Sequence, residues 1–420
     1  TPSGGSTTPL SGIYTIGSGG TYSTFAAAHT DLLLKGVSAA VTFNVLNGVY
    51  IEQLSLLQIP GSSASNTITF QSQSGNAANV TMFYAAAGAS DNYVVQLKGA
   101  DYIRFQNMTI ASNNVAASTY AQVINLFGDV EDLRIQNNIL TGTQTTGGSA
   151  NQIIIYGDNT LYSSRIISGN TFNDGSYGVY MDGISQAASS TGLQINNNTL
   201  TNQGYFPIWA RYQNGPQFNG NTINGSIYAN RGIELNYCDG AIQIMKNKIS
   251  IPTNAFGIYL YQCDGGTGLP TPRGLIANNF ISIGGNTTAY GLYVYTCTNL
   301  DYYYNSVNLA STYAAGGQAL RIENAGGSSI NIVNNVLANQ GGGYAYYNAG
   351  AASIVNISNY NDLYTTGNYV GYWGSADRTT LAAFQAASTK DANSVSVYPH
   401  FIATKDLHTP SPWLNAKGTP

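Results

Sequence analysis

Charged side chains are scarce in this chain. Asp, Glu, Lys and Arg together make up 8% of the 420 residues, whereas they form about 25% of a typical soluble domain. The 15 basic and 19 acidic residues leave a formal net charge of −4. Because no basic run or Arg-rich segment occurs, the sequence lacks the positive surface on which nucleic-acid binding depends. Nucleic acid is therefore not an expected partner.

Long apolar runs are also missing. No stretch approaches the ~18 consecutive apolar residues of a transmembrane helix, so no membrane span is expected. The segment from Thr1 to Pro9 has neither the charged leader nor the apolar core of a signal peptide. We interpret it as the mature end of a processed chain or as a linker.

Cysteine and histidine are few, and their positions argue against two kinds of site. Three cysteines cannot form the disulfide framework of a small secreted scaffold. The histidines His29, His400 and His408 lie near the chain ends, so neither a zinc site nor a histidine-based catalytic site is expected. No Gly-x-Ser-x-Gly elbow follows a predicted strand. The sequence therefore contains no zinc or serine-hydrolase motif.

Glycine and tyrosine, by contrast, are abundant, with 48 and 32 residues. Many aromatics and little charge favour a folded, turn-rich β protein over disorder. One phrase occurs three times, at 232–238, 257–263 and 291–297, and it always begins with Gly and ends with Cys. Its apolar and polar residues alternate, which is the period of a half-buried strand. The cysteines are expected in one column as buried, unbridged thiols, although adjacent rungs are close enough for a bridge.

A second phrase, Asn followed by any residue and then an apolar one, recurs along most of the chain. Its spacing varies, from 23 residues between Asn198 and Asn221 to 32 between Asn138 and Asn170. Variable spacing around a constant phrase indicates fixed strands joined by loops of different length, which is typical of a parallel β-helix. Asn tolerates left-handed backbone at a bend, and stacked side-chain amides can bond along a ladder. The column comprises Asn138, Asn170, Asn198, Asn221, Asn247, Asn279, Asn305, Asn335 and Asn361, with an earlier rung through Asn107, where one extra residue precedes the apolar one.

Two short segments with helical spacing stand outside this repeat. Residues 24–35 are followed by a stop at Gly36, which suits a helix that covers the first rung. Residues 379–388 predict a second helix, capped by Ser375 or Asp377. We therefore divide the chain into a tether or first strand (1–20), an N-terminal cap with the first rungs (21–93), regular rungs (94–364), and a closing rung with a C-terminal cover (365–420).

Several of these segments resemble one known family. Gly48-Val-Tyr-Ile-Glu52 resembles the "GxYxE" phrase that ends its first strand, and the Asn-x-apolar rungs resemble its repeat. Residues 380–386, 391–401 and 406–408 resemble its closing segment. The family then usually continues as L-x-x-x-SPAI(D/N)AG, whereas 409–418 of this chain is shortened and altered. The chain is thus similar, over nearly its whole length, to right-handed parallel β-helix proteins of the pectin-lyase-like fold, above all their secreted or surface-attached bacterial members.

This resemblance has consequences for fold, location and activity. It implies an all-β fold, a right-handed parallel β-helix solenoid with an N-terminal helix cap and a C-terminal cover. It also implies a secreted or cell-surface location. It does not select an activity, because this fold carries lyases, hydrolases, esterases, adhesins and inert stalks.

One charged cluster is a candidate for catalysis. Asp182, Arg211 and Glu234 fall on the outward side of three consecutive predicted rungs. Carboxylates two rungs apart lie about 9–10 Å from each other, near the roughly 6.5–9.5 Å separation of inverting glycosidases. The same three residues also suit a surface ion-pair ladder. A secreted polysaccharide hydrolase or lyase is therefore the alternative function.

The densest acidic group is a weak candidate for a Ca²⁺ site. Asp129, Glu131 and Asp132 lie together at a predicted bend, and Asp158 follows one rung on. Ca²⁺ takes oxygen ligands, which such a group supplies. With Arg134 beside it, the group also suits a solvated turn, and no other cofactor is expected.

An outward aromatic column is the leading candidate for binding, and it comprises Tyr156, Tyr180, Trp209, Tyr259, Tyr261, Tyr293 and Tyr295. Such a column stiffens a sheet, and a long exposed aromatic stripe is also a contact surface for polysaccharide or another copy. Low charge fits a protein held in a surface layer, stalk or filament. We therefore favour a non-enzymatic extracellular structural or adhesive module whose partners are copies of itself, neighbouring modules or glycans.

Overall fold

The structure, a computed structural model, describes residues 8–112, 119–267, 272–323 and 326–419. The chain divides into two compact units, Thr1–Thr199 and Leu200–Pro420. The described residues contain two α-helices, Phe25–Lys35 and Leu381–Ser388, and many short strands. None of the described helices has the length and apolar character needed to span a membrane.

The strands of the first unit form three parallel sheets, A, B and C, because successive turns of the chain add strands to the same three sheets. Ile124–Phe127, for example, pairs in parallel with both Val95–Lys98 and Ile155–Gly157. Sheet A contains Leu10–Ile16, Val37–Val45, Ile68–Ser72, Ile103–Gln106, Leu133–Gln136, Arg165–Ser168, Ser190–Thr191 and Leu193–Asn196. Sheet B contains Gly48–Ile51, Val80–Tyr84, Thr109–Ser112, Ile139–Thr141 and Thr171–Asn173, and sheet C contains Leu54–Leu57, Val95–Lys98, Ile124–Phe127, Ile155–Gly157 and Tyr177–Asp182.

The second unit has the same three-sheet arrangement, and Thr199–Thr201 lies at the division between the units. Its sheet A contains Gln213–Asn214, Gln217–Asn219, Asp239–Gly240, Gln243–Met245, Asp264–Gly265, Gly274–Ala277, Thr298–Tyr303, Ser328–Val333 and Val355–Asn359. Its sheet B contains Thr222–Asn224, Lys248–Ile251, Phe280–Ile283, Ser306–Leu309, Val336–Asn339 and Asp362–Thr365. Its sheet C contains Phe206–Arg211, Arg231–Asn236, Phe256–Tyr261, Ala289–Tyr295, Gly317–Glu323, Tyr344–Asn348 and Gly371–Trp373, which pairs antiparallel with Ala376–Arg378.

Parallel pairing of strands one turn apart identifies the fold of each unit as a right-handed parallel β-helix, which confirms the predicted all-β solenoid class. The inward residues of the three sheets fill the interior. In the first unit Phe43, Phe70 and Phe105 stack with successive ring centroids 5.0 and 5.4 Å apart. In the second unit Ile233 and Leu260 are completely buried. Alternating sequences form these strands because each strand turns one face to this core.

The Asn column occupies the bend between sheets A and B. In the second unit each Nδ2 from Asn221 to Asn335 donates to the Oδ1 of the column Asn on the next rung, over 2.9–3.1 Å. In the first unit Asn138 and Asn170 donate in the same way over 3.2 and 3.0 Å. These bonds confirm the predicted amide ladder. It satisfies polar groups that the bend buries, as a buried backbone requires.

The left-handed backbone predicted for the column Asn belongs instead to the residue before it, so that part of the prediction is wrong. Asn137 and Asn278 have φ of 57°. Asn107, with φ of 54°, is also such a bend residue. Met108 takes the ladder position on that rung, and its N–H donates to Oδ1 of Asn138 over 3.0 Å. This explains the extra residue before the apolar one at Asn107.

Helix Phe25–Lys35 packs against the first strands of sheets A and C. Thr24 is its N-cap and accepts a hydrogen bond of 3.0 Å from the N–H of Ala27. The carboxylate of Glu52 accepts two more, from the N–H groups of Phe25 and Ala26, over 3.3 and 3.1 Å. A carboxylate here also meets the positive end of the helix dipole. The last residue of the phrase 48–52 therefore fixes the helix onto the first rung.

Three glycines near the start of sheet C strands are required by close packing between rungs. A Cβ at Gly257 would lie 2.5 Å from the carbonyl oxygen of Gly291 and 2.3 Å from Cγ2 of Ile281. Gly232 and Gly291 meet similar neighbours. The glycine that opens each repeated phrase thus marks a point where any side chain would collide with the next rung.

After the last rung of the second unit, Asp391 and Ser394 take the place that the next Asn of the ladder would occupy. The N–H of Asn361 donates to Oγ of Ser394 over 2.8 Å, and its Nδ2 donates to Oδ1 of Asp391 over 3.0 Å. Helix Leu381–Ser388 precedes this segment, and its N-cap is Thr380, which accepts from Ala383 over 3.1 Å.

The predicted caps of this helix, Ser375 and Asp377, are wrong. Ser375, with φ of 60°, lies in the turn that joins Gly371–Trp373 to Ala376–Arg378. Asp377 lies within the second of these strands and accepts a hydrogen bond of 2.8 Å from the hydroxyl of Tyr344. Both residues therefore lie before the N-cap of the helix.

Residues 399–409 form a finger that lies on the outer side of sheet B in the second unit. Leu407 is 1% exposed. The Nζ of Lys405 donates to Oδ1 of Asn224 over 2.8 Å, and the His408 ring packs edge-on against Phe280 with centroids 4.9 Å apart. The finger thus covers part of this sheet along several rungs.

Candidate functional site

The outward side of sheet C in the second unit carries most of the predicted binding residues, and we call it the aromatic face. Strand register places its side chains in three parallel columns. The central column comprises Trp209, Glu234, Tyr259, Tyr293, Arg321, Tyr347 and Tyr372. The flanking columns comprise Arg211, Asn236, Tyr261, Tyr295 and Glu323 on one side, and Arg231, Phe256, Tyr290, Gln318 and Tyr344 on the other.

The tyrosines of the aromatic face stack on one another along the columns. The rings of Tyr259 and Tyr293 lie 4.7 Å apart at an interplanar angle of 22°, and those of Tyr261 and Tyr295 lie 5.1 Å apart at 15°. Rings in this arrangement cover each other's faces, so their edges and hydroxyl groups form the outer surface. A sugar ring would therefore meet phenol edges and hydroxyls along these columns.

The predicted exposed stripe is half-buried, which corrects that expectation. Trp209 is only 9% exposed, and the four tyrosines are of intermediate exposure. Stacking accounts for part of this burial, and Arg231 covers another part because its guanidinium lies 3.7 Å from the centroid of Phe256 and 5.4 Å from that of Tyr259. Burial raises the pKa of Tyr259 above its ordinary value.

Glu234, the predicted catalytic carboxylate, is 8% exposed and held by three neighbours. Its Oε1 accepts from Nε1 of Trp209 over 3.2 Å and from Nδ2 of Asn236 over 2.8 Å. Its Oε2 accepts from Nε of Arg231 over 3.0 Å. These bonds occupy three of the roughly four acceptor positions of the carboxylate. The arrangement suits a side chain that fixes the surface of the sheet.

The other two members of the predicted catalytic set are placed differently. Arg211 lies beside Asn236 in the strand register, and its guanidinium lies 4.8 Å from the ring centroid of Tyr212 and 5.5 Å from that of Trp209. Asp182 belongs to the first unit, ends its strand there and is 3% exposed. Its backbone carbonyl accepts from the N–H of Thr160 over 3.2 Å. The three residues therefore divide between the two units.

A second charged group on the aromatic face was missed by the sequence analysis. Glu323 accepts from Nε of Arg321 over 2.8 Å and from the hydroxyl of Tyr293 over 2.8 Å. Burial by itself would raise the pKa of Glu323, but these hydrogen bonds outweigh it and lower the pKa. Burial and the bond to Glu323 raise the pKa of Tyr293. The only sequence signal was an Arg and a Glu two positions apart on a predicted strand.

The predicted binding residues of the first unit form their own short column. The rings of Tyr156 and Tyr180 lie 5.4 Å apart at 45°, and Tyr177 meets Tyr180 edge-on at the same distance. The hydroxyl of Tyr156 donates to Oδ2 of Asp158 over 2.8 Å. Burial and this bond raise the pKa of Tyr156. Asp158, a weak calcium candidate, thus has a phenol partner.

The remaining calcium candidates bond to the next rung or to arginine. Oδ1 of Asp129 accepts from the N–H of Leu161 over 2.9 Å, and Oε2 of Glu131 accepts from the N–H of Ser163 over 2.9 Å. Asp132 pairs with Arg104 and, over 3.5 Å, with Arg134. In the part of the chain that the structure describes, no three His, Cys, Asp or Glu side chains are grouped so as to hold a metal ion.

Comparisons with known proteins concern the fold. No protein-family model matches the chain, and no curated protein matches it. Among solved structures it is similar to the GH136 lacto-N-biosidase from Eubacterium ramulus, at 12% identity and a TM-score of 0.49, covering 78% of this chain and 64% of that one. It is also similar to the Dettilon tailspike protein, at 12% identity and a TM-score of 0.45 over 90% and 65% of the two chains. The pectin methylesterase from Aspergillus niger matches at 14% identity and a TM-score of 0.32, over 76% and 87%.

Proposed function

We propose that this protein is a rigid extracellular β-helix module that adheres to polysaccharide through its aromatic face, without transforming it. The observation that carries the proposal is the register of the aromatic face, which aligns tyrosines of adjacent strands in pairs such as Tyr259/Tyr293 and Tyr261/Tyr295, with phenol edges and hydroxyls one strand spacing, about 4.8 Å, apart. Hydrogen-bonding side chains on successive strands fit an extended polymer whose own hydroxyls repeat along its length.

The charges on this face favour an uncharged polymer. Glu234 forms an ion pair with Arg231, whose Nε lies 3.0 Å from Oε2. Glu323 forms an ion pair with Arg321, whose Nη2 lies 2.5 Å from Oε2. With Arg211 the face carries three arginines and two glutamates, and so small an excess of charge attracts an acidic or a basic chain only weakly. Neutral glycans are therefore the expected ligands.

The engagement of Glu234 by three donors supports adhesion over hydrolysis. A glycosidase acid must reach a glycosidic oxygen within hydrogen-bond distance. Both oxygens of Glu234 already accept hydrogen bonds, which come from Trp209, Asn236 and Arg231. The alternative, a polysaccharide hydrolase or lyase of the same fold, would need the remaining acceptor position of Oε2 to reach the substrate from a side chain that is only 8% exposed.

Affinity electrophoresis in gels that contain neutral or acidic polysaccharides tests the proposal. The double variant Tyr261→Phe/Tyr295→Phe keeps the stacked rings and removes two hydroxyls from the aromatic face. Tyr313→Phe is the matched control, because Tyr313 is 44% exposed and lies in a turn outside sheet C. We expect a neutral polysaccharide to retard the wild-type protein and the control, and to retard the double variant clearly less.

Three outcomes would contradict the proposal. Equal retardation of the double variant and the wild type would place binding elsewhere. Release of reducing or unsaturated sugars by the wild type, and its loss in Glu234→Gln, would establish the enzymatic alternative. No retardation by any polysaccharide, together with assembly that rises with protein concentration, would identify other copies of the chain as the partner.

A further inference from the structure

The central column of the aromatic face ends in a tyrosine stack followed by an aspartate. Tyr347 is paired with Tyr372 on the next strand, and the two rings lie 4.4 Å apart at an interplanar angle of 11°. Ala376–Arg378 then pairs antiparallel with Gly371–Trp373 and sets Asp377 opposite Tyr372. The row of rings therefore stops at Tyr372, and a short carboxylate side chain takes the next place in the column.

The ring of Tyr372 is covered by a tyrosine on one face and not on the other. Tyr347 stacks on the face that is turned toward the preceding strand, and no other aromatic ring of the described residues stacks on Tyr372. An aspartate side chain extends one carboxyl group beyond Cβ, so it does not span a tyrosine ring. Tyr372 is half-buried and Asp377 is exposed. The second face of Tyr372 thus borders an open space above Asp377, where a further ring of the column would lie.

The carboxylate of Asp377 is held in place but has acceptor positions to spare. Its Oδ1 accepts a hydrogen bond of 2.8 Å from the hydroxyl of Tyr344, and within the described part of the chain Oδ2 accepts none. An ionised carboxylate has about four acceptor positions. Most of them therefore point toward solvent at the edge of the open space.

A second exposed ring lies beside this space. Tyr369 is 37% exposed and stacks on Tyr344, with centroids 5.9 Å apart at 14°. Tyr344 in turn meets Tyr347 edge-on at 5.1 Å and 75°. The two stacks, Tyr344/Tyr369 and Tyr347/Tyr372, are therefore steeply inclined to each other. The end of the aromatic face thus combines two exposed rings of different orientation with one charged acceptor.

We propose that this end of the aromatic face binds one neutral sugar ring, an inference that rests on the proposed function and adds an end subsite to it. The sugar ring takes the place that the next tyrosine of the column would have. Its apolar C–H face packs on the second face of Tyr372, as rings of the column pack on one another. Hydroxyls at its edge donate to the carboxylate of Asp377, which is a stronger acceptor than a neutral oxygen.

The charge at this place favours a neutral sugar over an acidic or an amino sugar. The carboxylate of an acidic sugar would lie beside Asp377 and be repelled by it. An ammonium group would be attracted, but an ion pair at an exposed carboxylate gains little because water and salt screen it. Sugar hydroxyls donate to the carboxylate without having to be stripped of a charge. The hydroxyl pattern of the ring therefore decides which sugar binds.

Saturation-transfer difference NMR of the whole protein with single methyl glycosides tests the proposal. The probes are the neutral methyl β-glucoside, β-galactoside and α-mannoside, the cationic methyl β-glucosaminide and the anionic methyl β-glucuronide. We expect at least one neutral glycoside to bind, with saturation strongest at the protons of one ring face, because that face lies on Tyr372. The charged glycosides are expected to bind more weakly than this neutral one.

Substitutions locate the binding on the end of the face. Asp377→Asn keeps the shape of the side chain and an acceptor for Tyr344, and is expected to weaken binding about tenfold, the effect of losing a hydrogen bond to a charged group. Tyr372→Leu removes the ring and is expected to weaken it about fivefold. Asp264→Asn and Tyr313→Leu, at exposed residues outside this place, are the matched controls and should bind like the wild type. Circular dichroism shows whether each variant is folded.

Tyr344→Phe separates a direct contact of Asp377 with the sugar from an effect through its tyrosine partner. This variant removes the hydroxyl that holds Asp377 and leaves the carboxylate itself. We expect it to bind the neutral glycoside nearly as well as the wild type. A loss as large as that in Asp377→Asn would overturn the direct contact.

The contrary results distinguish this proposal from the proposed function. Wild-type glycoside affinity in folded Asp377→Asn and Tyr372→Leu would overturn the end subsite, and retardation by a neutral polysaccharide that depends on Tyr261 and Tyr295 would still support adhesion. Absence of binding by every neutral glycoside, or tighter binding of a charged one, would also overturn it. Glycoside binding that depends on Asp377, without retardation by any polysaccharide, would support the end subsite and contradict adhesion along the face.

Discussion

Nδ2 of Asn247 donates to Oδ1 of Asn279 over 2.9 Å, and both side chains are completely buried. Each Asn in the column therefore serves two rungs at once. It accepts from the rung before it and donates to the rung after it, while its Nδ2 also bonds a backbone carbonyl. Removing one member leaves several buried groups without partners.

Asn279→Ala is expected to destabilise the second unit by roughly 3 kcal/mol, because each buried polar group left unpaired costs about 1–3 kcal/mol. The variant removes the oxygen to which Nδ2 and the backbone N–H of Asn247 donate. It also removes the Nδ2 that donates to the carbonyl of Ile244. Urea denaturation followed by circular dichroism measures the change. The control is Asn278→Gly, at an exposed residue with φ of 57°, where a change of less than about 1 kcal/mol is expected. Equal effects of the two substitutions would contradict the ladder's role.

Glu52→Ala is expected to destabilise the first unit by about 1–2 kcal/mol, the range for losing a helix N-terminal cap. The carboxylate accepts from Phe25 and Ala26 at the start of the helix. Glu52→Gln keeps an acceptor oxygen but loses the charge that the helix dipole favours, so its effect should be about half as large. Thermal denaturation followed by circular dichroism compares the three proteins. A Gln variant as unstable as the Ala variant would show that the charge dominates.

The sequence could predict much of the fold because its signals are local and repeated. Alternation of apolar and polar residues locates strands such as Phe256–Tyr261, and the constant Asn phrase fixes the bend between sheets A and B. The rung through Asn107 differs from the prediction for a physical reason. Asn serves both as a left-handed bend residue and as a ladder residue, and these positions are adjacent in the chain.

The candidate site was harder to predict because burial there depends on pairing between distant strands. Trp209 and Glu234 are 25 positions apart, and only the register of their strands brings Nε1 to Oε1. The finger at 399–409 lies outside the sequence repeat, so periodicity does not predict it. Its contact between Lys405 and Asn224 joins residues 181 positions apart. Sequence periodicity describes which side of a strand faces out, but it does not say what covers that side.

Gly257→Ala is expected to destabilise the second unit by about 3 kcal/mol, at the upper end of the usual range for overpacking. Its Cβ would lie 2.5 Å from the backbone oxygen of Gly291, which cannot move without shifting a rung. Gly147→Ala is the control, because a Cβ there meets nothing within 4 Å and Gly147 is not among the glycines with positive φ. A change of less than about 0.5 kcal/mol is expected for the control. Comparable midpoints of urea denaturation in the two variants would contradict the close-packing argument.

Asp362 is expected to make the stability of the second unit depend on pH. It is 3% exposed, its Oδ1 accepts from the N–H of Val397 over 2.9 Å, and its Oδ2 has no partner among the described residues. Burial raises its pKa from 3.8 to about 7. Between these two values the unfolded chain loses the proton while the folded chain keeps it, so the free energy of unfolding falls as the pH rises. Above pH ~7 both states are ionised and the loss is complete, at roughly 4 kcal/mol.

Asp362→Asn removes this titration while it keeps the shape of the side chain. We expect the variant to gain stability relative to the wild type as the pH rises from 4 to 8, with the largest difference above pH ~7. Urea denaturation at several pH values measures the difference, and Asp264→Asn, at an exposed carboxylate, is the matched control. A constant difference between wild type and Asp362→Asn across this range would mean that Asp362 is ionised in the folded protein. The closing segment 391–397 would then have to supply Oδ2 with a hydrogen-bond donor or water.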